Sequence, residues 1–207
     1  MSDAGEKTYH DLFGGGAKPA NTREKLIFKA IDLFNEHGFH AVGLDYILEE
    51  AKLTKSTFYN HFESRDELTV EAVKLRDKWE MDAFMKAVQE KGGYDAKAML
   101  MAMFDVIHDW FNLPDYTGCL FMTACAEFPD KNHPVKRAAN NHYADATAGI
   151  QKMAEGLGIE DAEAFACEWV LLLEGATIYR QITDNNAAAE IAKRAAAARL
   201  EDYLAEI

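Results

Sequence analysis

The sequence predicts an all-α protein. Apolar residues recur three and four positions apart through most of the chain, which is the spacing of one face of a helix. Capping residues and helix-stopping glycines or prolines punctuate that pattern at intervals. No stretch alternates apolar and polar residues as a half-buried strand would.

Residues 1–20 contain Gly14-Gly15-Gly16 and Pro19 and read as a flexible N-terminal arm. The first helix opens at a capping box, Asn21-Thr22-Arg23-Glu24, in which Asn21 accepts backbone N–H bonds and Glu24 reaches back. Leu26, Ile27, Ala30, Ile31, Leu33 and Phe34 form its inner face, and Gly38 closes it as a left-handed residue. A short helix from Leu44 to Ala51 turns Leu44, Ile47, Leu48 and Ala51 inward. Thr54 caps the next one, Lys55 to His61. Ser64-Arg65-Asp66-Glu67 is a second capping box, opening a long helix that Gly92-Gly93 breaks after about Lys91. Helices are then predicted from Ala96 to Phe111, ended by Pro114, and from Gly118 to Phe128. Pro134 suits the first position of another that runs to about Glu155, with Gly156 and Gly158 beyond it. The last two span Glu160 to Ile182 and Ala187 to about Glu206. The sum is about nine helices and no sheet.

Composition bounds the function. A chain of 207 residues buries about 70% of its unfolded surface and needs no staples to fold. Aromatic residues at 11% exclude wholesale disorder. No uncharged apolar run approaches the roughly 20 residues a bilayer requires; Trp169 to Leu173 is flanked by Glu168 and Glu174, so no membrane association is expected. The opening MSDAGEKTYHDLF lacks the basic and apolar regions of a signal peptide, and three cysteines fit a reducing compartment, so a cytoplasmic location is expected. The net charge of −13 argues against nucleic acid when taken whole. It is uneven, however. Residues 1–78 hold 11 basic against 14 acidic side chains, and the remainder 11 against 21. Within 52–65, Lys52, Lys55 and Arg65 face only Glu63, with His61 able to add charge. Only the first third offers a phosphate-tolerant face.

Leu44–Ala51 followed by Lys55–His61 has the layout of a helix-turn-helix, whose second helix lays its N-terminal half along the major groove. Small Ala51 allows close approach of the pair. Phe58 and Phe62, four apart, face the core against Phe34 and Ile47. Lys55, Ser56, Thr57, Tyr59, Asn60 and His61 then point away, and all carry hydrogen-bonding groups.

Residues 22–68, ending in LTKSTFYNHFESRDEL, resemble the DNA-binding domain of the TetR family of transcriptional regulators. The resemblance is carried by Ala30, Leu33-Phe34, Gly38-Phe39, Ile47, Ala51, Thr57, Phe58-Tyr59 and His61-Phe62. It implies a homodimer that binds a pseudo-palindromic double-stranded operator and releases it on binding a small-molecule effector. By the family pattern Thr54 and Thr57 start the recognition helix, and Lys55 and Ser56 reach bases. Tyr59, His61 and Arg65 hold phosphates, helped by the anion-attracting helix N-termini, and Asn60 stands between base and solvent. Three positions depart from the pattern. Gly43 stands where Ser or Thr is usual, Asp45 where a basic or polar residue is common, and Lys52 in place of a turn glycine. Further on, GCLF at 118–121, AEFPD at 126–130, HPV at 133–135 and LLLEGATIYRQI at 171–182 resemble the ligand domain of one branch of that family. The implied partition is an arm at 1–20, a helix-turn-helix domain at 21–66 and a ligand-binding and dimerisation domain at 67–207.

Ligand pockets are mostly apolar with a few placed polar groups. Met103, Ile107, Trp110, Phe121, Met122, His142 and Trp169 are the pocket candidates, with plain packing as the competing role for each. Trp169, Val170, Leu172, Leu173, Ala176 and Tyr179, with Ile191, Ala195, Leu200 and Leu204, give apolar stripes wide enough for a dimer interface of two helices from each chain, with packing inside one chain expected for at least half of them. Cys119 and Cys125 lie about 240° apart around one helix and are not placed to pair. No metal-ligand spacing, nucleophile elbow, phosphate loop or dinucleotide fingerprint occurs, so neither a metal, a cofactor nor an enzymatic activity is expected. The resulting expectation is a ligand-responsive regulator, most simply a repressor. In the alternative, the same helical module binds a small molecule and has lost DNA.

Overall fold

The computed structural model describes residues 18–205, and among them every regular element is a helix. In chain order these are α1 (Thr22–His37), α2 (Leu44–Ala51), α3 (Lys55–Tyr59), α4 (Arg65–Gly92) and α5 (Ala96–Phe111). They continue with α6 (Leu120–Glu127), α7 (Pro134–Gly156), α8 (Ala162–Thr183) and α9 (Ala188–Ala205). Most of the expected N-terminal arm, with Tyr9 and Phe13, lies outside the described residues, as does the expected end of the last helix at Glu206.

The helices form two compact units, one holding residues 18–81 and 119–143, the other 82–118 and 144–205. The divisions fall inside α4 and α7.

In the first unit α1 packs on α2, and α2 on α3. Leu26, Ala30, Phe34, Phe39, Ile47 and Phe58 are completely or almost completely buried. Phe58 stacks on Phe62 at 5.6 Å between ring centres, so the turn after α3 is pinned from inside. Burying each of the leucine, isoleucine and phenylalanine side chains contributes about 1.5–3 kcal/mol. Arg23 bonds Glu71 at 2.9 Å and lies over the Phe62 ring, tying α1 to α4. That guanidinium holds the Glu71 carboxyl below its ordinary range.

Both capping boxes form, with one difference. Asn21 accepts from the Glu24 N–H at 2.9 Å, and Ser64 from the Glu67 N–H at 3.1 Å. The returning carboxylates accept from Ala20 and Glu63, each one residue ahead of the cap. Several helix ends are shorter than expected, α8 for instance starting at Ala162 rather than Glu160, and two of them have a visible cause. α3 stops at Tyr59, because the His61 N–H bonds the Phe58 carbonyl three residues back and tightens the chain into a turn. α6 begins at Leu120, because Gly118 sits at φ +90° with the Gln181 amide 2.9 Å from where a Cβ would stand.

In the second unit α9 packs against both α5 and α8, which also meet each other. Ala188, Ala189 and Ala196 are the buried small residues of α9 and let it lie close. Phe104 meets Trp169 edge-on, Phe165 stacks on Trp169 at 5.0 Å, and Tyr203 closes the cluster against Phe165. Charged straps hold α9 down. Lys193 bonds Asp105 of α5 at 2.6 Å, and Arg199 bonds Glu168 of α8 through two nitrogens, one at 3.1 Å. The same Glu168 accepts from the Tyr203 hydroxyl at 3.3 Å.

Candidate nucleic-acid interface

The recognition segment owes its exposure to the two phenylalanines it buries. With Phe58 and Phe62 fully inside, Lys55, Ser56, Tyr59, Asn60 and His61 are left exposed and Thr57 half-exposed. Thr54 is an extended residue whose hydroxyl accepts from the Thr57 N–H at 3.1 Å and lies 2.9 Å from the Thr57 hydroxyl. Both threonines are thereby committed to starting α3. Tyr59 packs its ring edge-on against Phe58 and leaves 59% of its surface to solvent, so its hydroxyl is presented on a braced ring. The exposed set is polar and carried on one short helix and the turn that ends it, which suits a groove lined with hydrogen-bonding base edges and phosphates.

Three neighbours modify this face. Lys55 is ion-paired: its Nζ lies 2.8 Å from Asp45 in the first turn of α2, with the two side chains 63% and 76% exposed. The hydrogen bond to that carboxylate raises the lysine pKa. Arg65 is half-buried. Its Nε donates to the Val42 carbonyl at 3.0 Å, its Nη2 to the Phe39 carbonyl, and its guanidinium lies over Phe34. The side chain therefore braces the α1–α2 turn. Lys52 takes the left-handed conformation, φ 52°, that ends α2, and its N–H returns to the carbonyls of Leu48 and Glu49. Gly43 precedes α2 in extended geometry and supplies no side-chain cap.

Two family models match the chain. The one described as bacterial regulatory proteins of the tetR family covers residues 26–72, and the tetracycline-repressor-like C-terminal domain covers 96–196. The chain belongs to the TetR family. Among solved structures, a TetR-family transcriptional regulator from Streptomyces coelicolor superposes with a TM-score of 0.77 at 28% identity, over 89% of this chain and 95% of its own. The HTH-type transcriptional regulator YjdC of Escherichia coli is 21% identical over 84% of this chain and 91% of its own length. A 30% match to IcaR of Staphylococcus aureus, a negative regulator of a biofilm operon, covers 42% of this chain and 46% of that protein. This TetR-family protein is thus a DNA-binding transcriptional regulator rather than an enzyme, with an N-terminal helix-turn-helix and a helical C-terminal domain.

The seven pocket candidates are divided between the two units. Met103, Ile107 and Trp110 of α5 and Trp169 of α8 are buried in the second unit. Phe121 and Met122 of α6 and His142 of α7 belong to the first. Within that unit Phe121 stacks on His142 with ring centres 3.8 Å apart, and Asp77 of α4 takes the other side of the imidazole at 2.8 Å from Nδ1. In the second unit the Trp169 indole N–H is buried and has no hydrogen-bond partner among the described residues. Among the described residues no group of histidine, cysteine and carboxylate side chains could hold a metal ion. No described helix is long and apolar enough to cross a membrane.

One residue of consequence escaped the sequence reading. Glu127, at the end of α6, accepts from the backbone N–H groups of Phe39 at 3.0 Å and His40 at 2.5 Å, and lies 3.0 Å from the His40 ring. Phe128 beside it packs on both of those rings. Gly38 is required twice here: it sits at φ +80°, and a Cβ on it would stand 2.6 Å from the Glu127 carboxylate. The carboxylate thereby fastens α6 to the turn that follows α1. The only sequence signal was its place in AEFPD, which carries no information about a partner 87 residues away.

Proposed function

We propose that this protein is a ligand-released repressor that binds a pseudo-palindromic operator as a homodimer in the cytoplasm. The observation that carries the reading is α3 with the turn that ends it, where buried Phe58 and Phe62 leave Lys55, Ser56, Tyr59, Asn60 and His61 exposed together. Lys55 and Ser56 reach base edges, Tyr59 and His61 hold phosphates, and Asn60 flanks them. Thr54 and Thr57 set the helix start, and Arg65 contributes by fixing the backbone that carries the face. The paired presentation is supported by apolar side chains left exposed on α8 and α9, Leu171, Ile178, Ile182 and Ile191. A twofold pairing places two recognition helices about one duplex turn apart, ~34–36 Å, and an effector that favours another spacing lowers operator affinity. The buried, unpartnered Trp169 N–H supports an effector with an apolar body and one hydrogen-bond acceptor, received among Met103, Ile107 and Trp110 of the same unit.

The second reading, a ligand-binding module without DNA affinity, is favoured by one feature, the neutralisation of Lys55 by Asp45. Fluorescence anisotropy with duplexes selected from a random pool, titrated across a salt series, separates the two. The regulator shows sequence-selective binding with a steep negative salt slope; the module shows none. Lys55→Ala and Tyr59→Phe are each expected to weaken operator binding about tenfold, the cost of one good polar contact, with unchanged melting temperature. An operator Kd unmoved by both removes the site assignment.

A further inference from the structure

We propose that Asp45 is a specificity-determining residue, holding Lys55 so that contact with phosphate alone is penalised while contact with the right base edge is not. The inference rests on the operator-binding reading above. Three observations support it. Lys55 is the one permanent cation between Lys52 and Arg65, and therefore the only one on the recognition helix. It stands at the start of that helix with Asp45 at 2.8 Å, both side chains open to solvent on the surface that also carries Ser56 and Tyr59. Arg65 is occupied by the carbonyls of Phe39 and Val42, and Lys52 lies ahead of the recognition helix, at the left-handed end of α2. Asp45 therefore controls the principal positive charge of the recognition helix.

The physical consequence differs between two kinds of duplex contact. A phosphate is an anion. To reach it, Lys55 either leaves Asp45, stranding a carboxylate beside a polyanion, or stays and brings that carboxylate with it. An exposed ion pair is weak and comparable with the screened repulsion that Asp45 then meets, so the phosphate contact is largely cancelled. A base edge is neutral. An ammonium has three donors, so Lys55 can keep Asp45 and still donate to the O6 or N7 of a guanine. The carboxylate is tolerated there, and a cytosine amino group is a donor that a carboxylate accepts. Asp45 thus subtracts from generic binding and leaves cognate binding nearly untouched. This gives a purpose to a negative charge at a position where the family commonly has a basic or polar residue.

The experiment uses the full chain, a duplex selected from a random pool by the wild-type protein, and a scrambled duplex of equal length. Kd is measured across a salt series for wild type, Asp45→Asn, Lys55→Gln and the double variant. Asp45→Asn is expected to tighten the scrambled duplex by about three- to tenfold and to steepen its salt slope by about 0.9, the value of one phosphate contact. The selected duplex gains less than about twofold, so the ratio of the two affinities falls. In the Lys55→Gln background the same substitution moves that ratio far less. Both side chains are exposed, so matching circular dichroism and melting curves establish that the variants are folded. If Asp45→Asn leaves the ratio unchanged in a selective protein, or changes it equally without Lys55, the inference is overturned while the operator reading stands. A wild-type chain that selects no duplex overturns both.

Discussion

At the scale of single residues, the candidate recognition surface is defined by which polar groups are already engaged. Gly43 illustrates the opposite case, a position where a group is missing. It is the N-cap of α2 in extended geometry, and a Cβ there would meet nothing within 4 Å. Gly43→Ser is expected to stabilise the fold by about 0.5–1 kcal/mol, from a capping bond and a less flexible unfolded chain. Urea denaturation checks the stability, and the same variant should bind operator more tightly if its hydroxyl also meets a phosphate. Most of the recognition surface was legible in the sequence, because Phe58 and Phe62 at i and i+4 dictate which side of α3 is hidden. The engagement of Lys55 by Asp45, and of Arg65 by two backbone carbonyls, was not legible. Those bonds join residues ten or more positions apart, and helical spacing carries no information about such partners.

At the scale of elements, α8 and α9 are joined by a polar clamp as well as by packing. The hydrogen bonds from Arg199 hold the Glu168 carboxyl below its ordinary range, and burial pushes the Tyr203 hydroxyl up. The sign follows from linkage. A carboxyl whose pKa is lower folded than unfolded contributes stability that is present above the unfolded value of about 4.3 and is lost as pH falls through the folded value. The melting temperature should therefore drop on acidification below about pH 4.5. Glu168→Gln should melt lower than wild type at neutral pH and lose less on acidification. A pH profile identical to wild type would show that the clamp does not contribute. The helices themselves were readable from spacing, caps and breakers. Their ends moved where a tertiary contact intervened, as at Gly118, where the Gln181 amide occupies the space a side chain would need.

At the scale of the whole molecule, the exposed apolar stripe of α8 is Leu171, Ile178 and Ile182, 71%, 49% and 74% open to solvent, with exposed Gly175 between them. Spacings of four, three and four put these positions on one face. Apolar side chains so exposed favour a second copy of the chain, and the glycine lets its backbone approach. Leu171→Glu with Ile182→Glu is expected to convert a micromolar dimer into a monomer by light scattering and to weaken operator binding with it. A dimer unaffected by both charges would relocate the interface. Of the apolar set expected on α8 and α9, Tyr179 and Ile191 are exposed. Trp169, Ala176 and Leu200 are packed within the second unit, while Leu171, Ile178 and Ile182, absent from the expected set, are outside.

Helix positions, caps, the helix-turn-helix and the family itself were all written in local patterns, because a helix is stabilised by residues three and four apart and a short stretch of chain specifies it. Tertiary structure alone decided which of two apolar faces on α8 is hidden, that Lys55 and Arg65 are already occupied, and that Glu127 fastens α6 to the turn after α1. Each of those outcomes depends on side chains brought together from distant parts of the chain, and such a partnership exists only once the packing has chosen it.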